Sequence, residues 1–558
     1  MSRRVRLKGG RLFDPAEGVA GEVRDLSIDD GRIVADPGPA ASPPETIDVS
    51  GCVVMAGGID IHSHVGGGKV NLGRSLLVED HRRHRHGREG GLRSGSGEAT
   101  PSTFSTGYRY ARMGYTAAFE PAMVPANARH AHLEMADLPI IDKGAYVMLG
   151  NDDLLLRLLG TGAAQSEVND YVAFMLSATQ ALGVKVVNPG GISAFKFNQR
   201  KLDLDEANAH YGVTPRRVLV ALARAVKELG VPHPLHIHCN NLGVPGNVET
   251  TLATIEAAEG WPIHLAHVQF HSYGTEGDRR FSSGAARIAE ALKAHPNVSI
   301  DVGQIMFGQT MTESADTMAQ HRNRRLADPN KWICMDIECD GGCGLVPFRY
   351  RDRSFVNALQ WAIGLELFLL VDDPWRIFLT TDHPNGAPFT TYPELIRLLM
   401  DRSYRSEIMS KIHPEAAKAS LLGQLDRQYG LGDIATLTRA APARILGLTD
   451  RGTLAVGAAA DIAVYRDDPD RARMFATPQL VLKDGRIVVR DGEVVDATPG
   501  STNVVRPDYD RAIERRLARF FEDHMTLRLA HFRIAEAEIA DRGRGRVKVR
   551  PPVRTGSA

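Results

Sequence analysis

Residues 57–64 read GGIDIHSH, two glycines and a short apolar run that ends in two histidines one residue apart. In a strand, residues i and i+2 project to one face, so His62 and His64 converge at the end of the run. Neutral imidazole is the commonest metal ligand, and two on one strand supply two bonds without rearrangement of the chain. An HxH pair also arises by chance on an apolar strand. Its surroundings must decide between a metal site and two incidental imidazoles.

Downstream, residues 57–447 alternate short apolar runs with helical patterns: YVMLGND, YVAFMLSATQALG, VKVVNPGG, RRVLVALARAVKELG, PLHIHCN, IHLAHVQFHS, VSIDVG and WRIFLTTD. Strand and helix in alternation favour a parallel sheet, and the closed (β/α)8 barrel is the commonest large solution. Such barrels carry their chemistry at the C-terminal ends of the strands. The flanks differ: VRLKGGRLFD, DLSIDDGRIVAD and TIDVSGCVVMAGG near the start, and GTLAVGAAADIAVY and LVLKDGRIVVRDGEVV near the end, are hairpin-like. IDDGRIVAD and KDGRIVVRDG share a turn-and-strand pattern. The predicted fold is therefore α/β, a TIM-like barrel over 57–447 with a small β-sandwich built from 1–56 and 448–500. Residues 501–558 are expected to form a C-terminal extension of amphipathic helices ending in a solvated basic tail.

The bulk composition excludes some classes of partner. Lys+Arg and Asp+Glu each total 67 in 558 residues, so no net charge draws the chain to nucleic acid or to a membrane. No stretch approaches the roughly 18 apolar residues of a membrane span, and MSRRVRLKGG is not followed by the apolar core of a signal peptide, so the expected location is cytoplasmic. Five cysteines suit reduced thiols. Cys334, Cys339 and Cys343 are spaced C-x4-C-x3-C, without a CxxC pair or a fourth partner, and read as ordinary cysteines rather than as a cluster site.

Ligand-type residues recur where barrel strands should end. His236 and His238 lie in PLHIHCNNLG, His264 and His267 in IHLAHVQFHSYG, and Asp382 ends WRIFLTTD, although a lone Asp there can equally cap a helix. Lys185 in VKVVNPGG places an ammonium in an apolar run, where it is costly unless it snorkels, pairs, or loses its proton and reacts with carbon dioxide to form a carbamate. Lys196 in GGISAFKFN is the rival for that last role. The basic stretch EDHRRHRHGREGG, residues 79–91, is either a solvated loop or a contact for an acidic substrate tail. Its His81, His84 and His86 lie on no evident strand and are poor metal candidates.

Taken together, HxH after the first barrel strand, a mid-chain lysine, histidines ending two later strands and a final Asp resemble the amidohydrolase superfamily, and GTLAVGAAADIAVY resembles its return into the sandwich. More narrowly, GGIDIHSHVGGGKVNLGR, PSTFSTGYRYARMGYT, HIHCNNLGVPGN, HVQFHSYG and TTDHPNGAPFT resemble the A-subunit family of formylmethanofuran dehydrogenases and of the methylotroph formyltransferase/hydrolase complexes. The resemblance runs through about residue 500. It implies two divalent metal ions, with zinc expected, held by His62, His64, Lys185 as a carbamate, His238, His267 and Asp382. VKVVNPGG resembles the carbamate strand of that family, which favours Lys185 over Lys196. His236 and His264 would then lie behind the ligands or in the core. His383 departs from the pattern, which has Ser there.

The resemblance further implies hydrolysis of the formamide of an N-formylated methanofuran, or its bacterial analogue, to formate and free amine, with Asp382 moving the proton and a formyltransferase as partner in the complex. Two other readings compete with it: a dihydropyrimidinase-like or deaminase amidohydrolase, and a catalytically silent scaffold for the formyltransferase.

Overall fold

The computed structural model describes residues 4–35, 45–88, 90, 92–189, 203–208, 210–315, 336–337, 343–540 and 545–553. Eight parallel strands make the central sheet in sequential order: β1 (Gly58–Asp60), β2 (Tyr115–Met123), β3 (Asp142–Met148), β4 (Gly183–Val187), β5 (Leu235–His238), β6 (Ile263–Leu265), β7 (Val298–Asp301) and β8 (Ile377–Phe378). They are short and almost wholly buried, as expected of parallel strands covered on both faces. The sheet curls until its two edges meet. Ser63 and His383 form a parallel bridge, and the His64 amide donates to the His383 carbonyl at 2.8 Å.

Helices built on a 3.6-residue apolar pattern cover the strands. Pro215–Glu228 is representative: Thr214 caps its N-terminus by accepting from the Arg217 amide, Pro215 occupies the first turn, and Val218, Leu222, Ala225 and Val226 face inward.

Both chain ends contribute to one nine-stranded sheet, in which Cys52–Ala56 pairs antiparallel with Ile462–Arg466. Its inner face encloses a separate core that includes Leu7, Val54, Ile462 and Leu482. The repeated DGR pattern has a structural meaning. Asp30–Gly31 and Asp484–Gly485 each have positive φ at both positions, the signature of a type I′ hairpin. The two turns also touch, and a Cβ on Gly31 would lie 2.8 Å from the Asp484 carbonyl. Glycine is needed there for backbone approach as well as for conformation.

The C-terminal segment departs from expectation. Ile513–His524 is an amphipathic helix with Ile513, Leu517 and Phe521 buried. However, Thr502–Val505 is a strand on β3, and Val547–Arg550 pairs parallel with it, so this part of the basic end is not a solvated tail. Arg550 is buried because Asn503 and Asp450 accept its guanidinium protons, at 2.8 and 2.6 Å. Among the described residues, no helix is long and apolar enough to cross a membrane.

Candidate metal centre

The C-terminal ends of the strands gather the predicted residues at one point. His62 and His64 lie just past β1 rather than within it, their rings 5.7 Å apart and nearly perpendicular. Asp60 fixes this exit by accepting the His62 amide at 3.0 Å and the Tyr110 hydroxyl at 2.7 Å. Lys185 is buried in the middle of β4, in register with His236, and His238 is the last residue of β5. His267 and Asp382 follow β6 and β8 with φ of 37° and 50°. Left-handed backbone at a non-glycine costs about 1 kcal/mol or more, and it persists where surrounding structure demands it.

Asp382 Oδ1 lies 2.9 Å from His62 Nε2 and 3.3 Å from His64 Nε2. Neither His62 Nε2 nor Asp382 Oδ1 is aligned for a hydrogen bond, and His238 Nε2 and His267 Nδ1 are likewise buried without one. Around an ion with bonds of about 2.0–2.1 Å, neighbouring tetrahedral ligands sit roughly 3.3 Å apart. The spacing therefore suits coordination of a shared ion. Three sets of potential donors overlap here: His62, His267 and Asp382; His238, His267 and His271; and, deeper, His62, His236 and Asp301.

Two further carboxylates brace the rings. Asp301, ending β7, receives His62 Nδ1 at 3.2 Å, His264 Nε2 at 3.1 Å, the His267 amide at 2.9 Å and the Thr380 hydroxyl at 2.7 Å. Glu120, in β2, lies 3.2 Å from His64 Nδ1 and accepts the Val65 and Gly66 amides. Orienting a histidine through its far nitrogen is how outer carboxylates serve metal ligands. His236 stands 2.9 Å from His62 Nδ1 and from His233, deeper in the barrel.

The electrostatics follow from burial and this pairing. Burial opposes protonation of His64, but Glu120 and Asp382 outweigh it and hold the pKa at about 9. Burial likewise opposes ionisation of Asp382, yet His267 and His62 keep its carboxyl well below the usual range. Burial pushes His267 down to about 3 and His238 and His271 well below the ordinary value, leaving imidazoles in the neutral, ligating form. It also lowers Lys185 to about 8, against the pull of Asp301 and Asp382.

Sequence reasoning overlooked Asp301, Glu120 and His271. VSID ending a strand was a usable signal for Asp301, and HVQFH, with histidines four apart, was one for His271. A single Glu in β2 offered none. Glu313 was also missed. It is buried with both carboxylate oxygens unpartnered, and burial raises its pKa to about 7. His383 packs against Phe389 and accepts its amide at 3.2 Å. His81 and His84 lie in the separate 79–91 segment, bonded to Ser96 and to Asp80 and Glu98. Lys196, Cys334 and Cys339 lie outside the described residues.

Comparison with known proteins agrees with this architecture. A sequence model of the amidohydrolase family matches residues 45–495. The chain is 47% identical over 540 residues to the A subunit of formyltransferase/hydrolase complex Fhc of Methylorubrum extorquens, covering 96% of this chain and 97% of that one. It is 42% identical over 515 residues to protein FwdA of Methanocaldococcus jannaschii, covering 89% and 90%. The crystal structure of the FhcABCD complex from M. extorquens with methylofuran contains a chain that superposes with a TM-score of 0.91 at 45% identity, covering 98% and 99%. Barrel, flanking sheet and ligand-rich strand ends thus occur in a chain that belongs to the amidohydrolase family, in the branch of FwdA and the Fhc A subunit.

Proposed function

We propose that this chain is a two-metal formamide hydrolase. It releases formate and a free primary amine from an N-formylated methanofuran or its bacterial analogue, as the hydrolase subunit of a cytoplasmic formyltransferase/hydrolase complex. The observation that carries the reading is the convergence of buried, unpartnered ligand atoms on His62, His238, His267 and Asp382, in a chain 47% identical to an Fhc A subunit. In this reading His62, His64 and Asp382 would hold one ion and His238 and His267 the other, with Lys185, as a carbamate, supplying further oxygen ligands. The lowered pKa of Lys185 supports that role. Its neutral amine adds to carbon dioxide, forming an N–C bond and releasing one proton.

Bound divalent ions, with zinc expected, supply a lowered pKa for water and polarisation of the amide carbonyl. The protein's own part is placement and proton transfer. Asp382, kept ionised by its histidine neighbours, takes the proton of the attacking water. As the C–N bond breaks, the proton passes to the departing nitrogen and the formyl carbon leaves as formate. Asp301 and Glu120 fix the His62 and His64 rings during this exchange.

The test is to incubate the metal-loaded chain, with its partner subunits, with N-formylmethanofuran and separately with a hydantoin. Formate release from the first without ring opening of the second is expected. Ring opening alone would point to a dihydropyrimidinase-like enzyme, and neither product to a scaffold.

A further inference from the structure

His271 has no role in the reading above. It closes the 3-10 turn Val268–His271 after β6, and its side chain is wholly buried. The turn is pinned from below, because the His271 carbonyl accepts the Thr251 hydroxyl at 2.7 Å. Neither ring nitrogen has a hydrogen-bond partner. Buried polar atoms are nearly always paired, and an imidazole with both nitrogens unmet calls for a ligand.

The neighbours of this ring indicate which ligand. It stacks on His267 with centroids 5.3 Å apart and stands edge-on to His238 at 5.1 Å. Donor nitrogens of the three rings lie within 4.8 Å of one another, and those left unpartnered on His238 and His267 are buried as well. His267 leads into the 3-10 turn in left-handed backbone and His271 ends it, and this geometry stacks the two imidazoles on one side. Three imidazoles without an acid among them suit a divalent transition metal better than a hard oxygen-seeking ion.

We propose that His271 is a third imidazole ligand of the second ion, completing a His238–His267–His271 face. The proposal rests on the two-ion reading above. It makes the two positions chemically unequal, one with Asp382 among its protein ligands and the other with three imidazoles.

The experiment measures metal per chain and zinc affinity in the purified complex, with X-ray absorption to follow the imidazole share of the coordination shell. The wild-type chain should hold two ions. His271→Ala and the bulkier His271→Gln should each keep one tightly and bind the second at least about 100-fold more weakly, the upper end of what loss of an outer-shell partner costs. His271→Cys, whose thiolate can ligate, should regain the second ion, a rescue that a purely structural role for the ring would not give. Two ions of wild-type affinity and an unchanged absorption spectrum in His271→Gln would overturn the proposal and leave the two-ion reading standing. A wild-type chain that holds fewer than two ions would overturn both.

Discussion

The two ends of the barrel are both buried and both charged, yet they are finished in opposite ways. At the N-terminal end Lys483 lies 2.9 Å from Asp461, 3.2 Å from Asp142 and 3.1 Å from Asp484, while Arg451 reaches Asp142, Asp461 and Asp484 at 2.8–3.0 Å. The Ser501 amide donates to Asp142 at 2.6 Å. No buried side-chain atom of those five residues lacks a hydrogen bond, whereas the C-terminal end leaves nitrogens of His62, His238, His267 and His271 and an oxygen of Asp382 without one. A saturated network ties barrel to flanking sheet. An unsaturated one is built for something that arrives later.

Substitutions at the two ends should therefore register in different measurements. Lys185→Ala should lose both ions and all formate release while unfolding near the temperature of the metal-stripped wild-type chain, with partial rescue by short carboxylic acids. Loss of stability with the metal retained would erase the distinction between the ends. Asp382→Asn should reduce turnover by about 10²–10⁴-fold, the range for a lost acid–base group, with most metal kept. Full turnover in that variant would remove Asp382 from proton transfer.

Asp142→Ala works in the other direction. Breaking a buried ion network strands its partners and should cost about 3–5 kcal/mol in denaturant unfolding, leaving metal affinity intact. The same carboxyl predicts the acid limb of stability. Burial opposes its ionisation, but Lys483 and Arg451 hold its pKa far below the usual range. Its contribution is complete above the unfolded value of about 3.9 and is lost as pH falls below it. Asp142→Asn should flatten that limb in a pH series of unfolding midpoints. Glu120→Gln should weaken metal binding by about 10–100-fold through the His64 ring. The smallest change is expected for Asp484→Asn, at the solvent-exposed edge of the network. It should cost no more than about 1 kcal/mol, and a larger loss would mean that the edge is held as tightly as the centre.

The barrel was legible because parallel strands write themselves as short apolar runs with polar ends, and the hairpin flanks because DG turns demand particular residues. His62, His64, Lys185, His238, His267 and Asp382 were among the residues that interrupt or end such runs, and family resemblance chose them over His236, His264 and Lys196; the structure brings these histidines, the lysine and the acid to one end of the sheet. Glu120 was not legible, and the strand-end signal of Asp301 did not reveal its role. An acid near a strand end looks the same whether it caps a helix or braces a ring, and only closure of the sheet separates the two. The strand Val547–Arg550 hid for a similar reason. RVKVRPP is basic and Pro-bounded, and its burial depends on Asn503 and Asp450, which lie 47 and 100 residues from Arg550.

The seam between β1 and β8 has a consequence for how the chain reaches its native state. Ser63 and His383, about 320 residues apart, meet beside His62, His64 and Asp382, so closing the barrel is what brings together the residues proposed above to hold the first ion. A chain that has not closed its barrel cannot assemble those ligands, and an ion bound there favours the closed form by mass action. On the two-metal proposal, ion binding and closure of the barrel are therefore linked, and each favours the other.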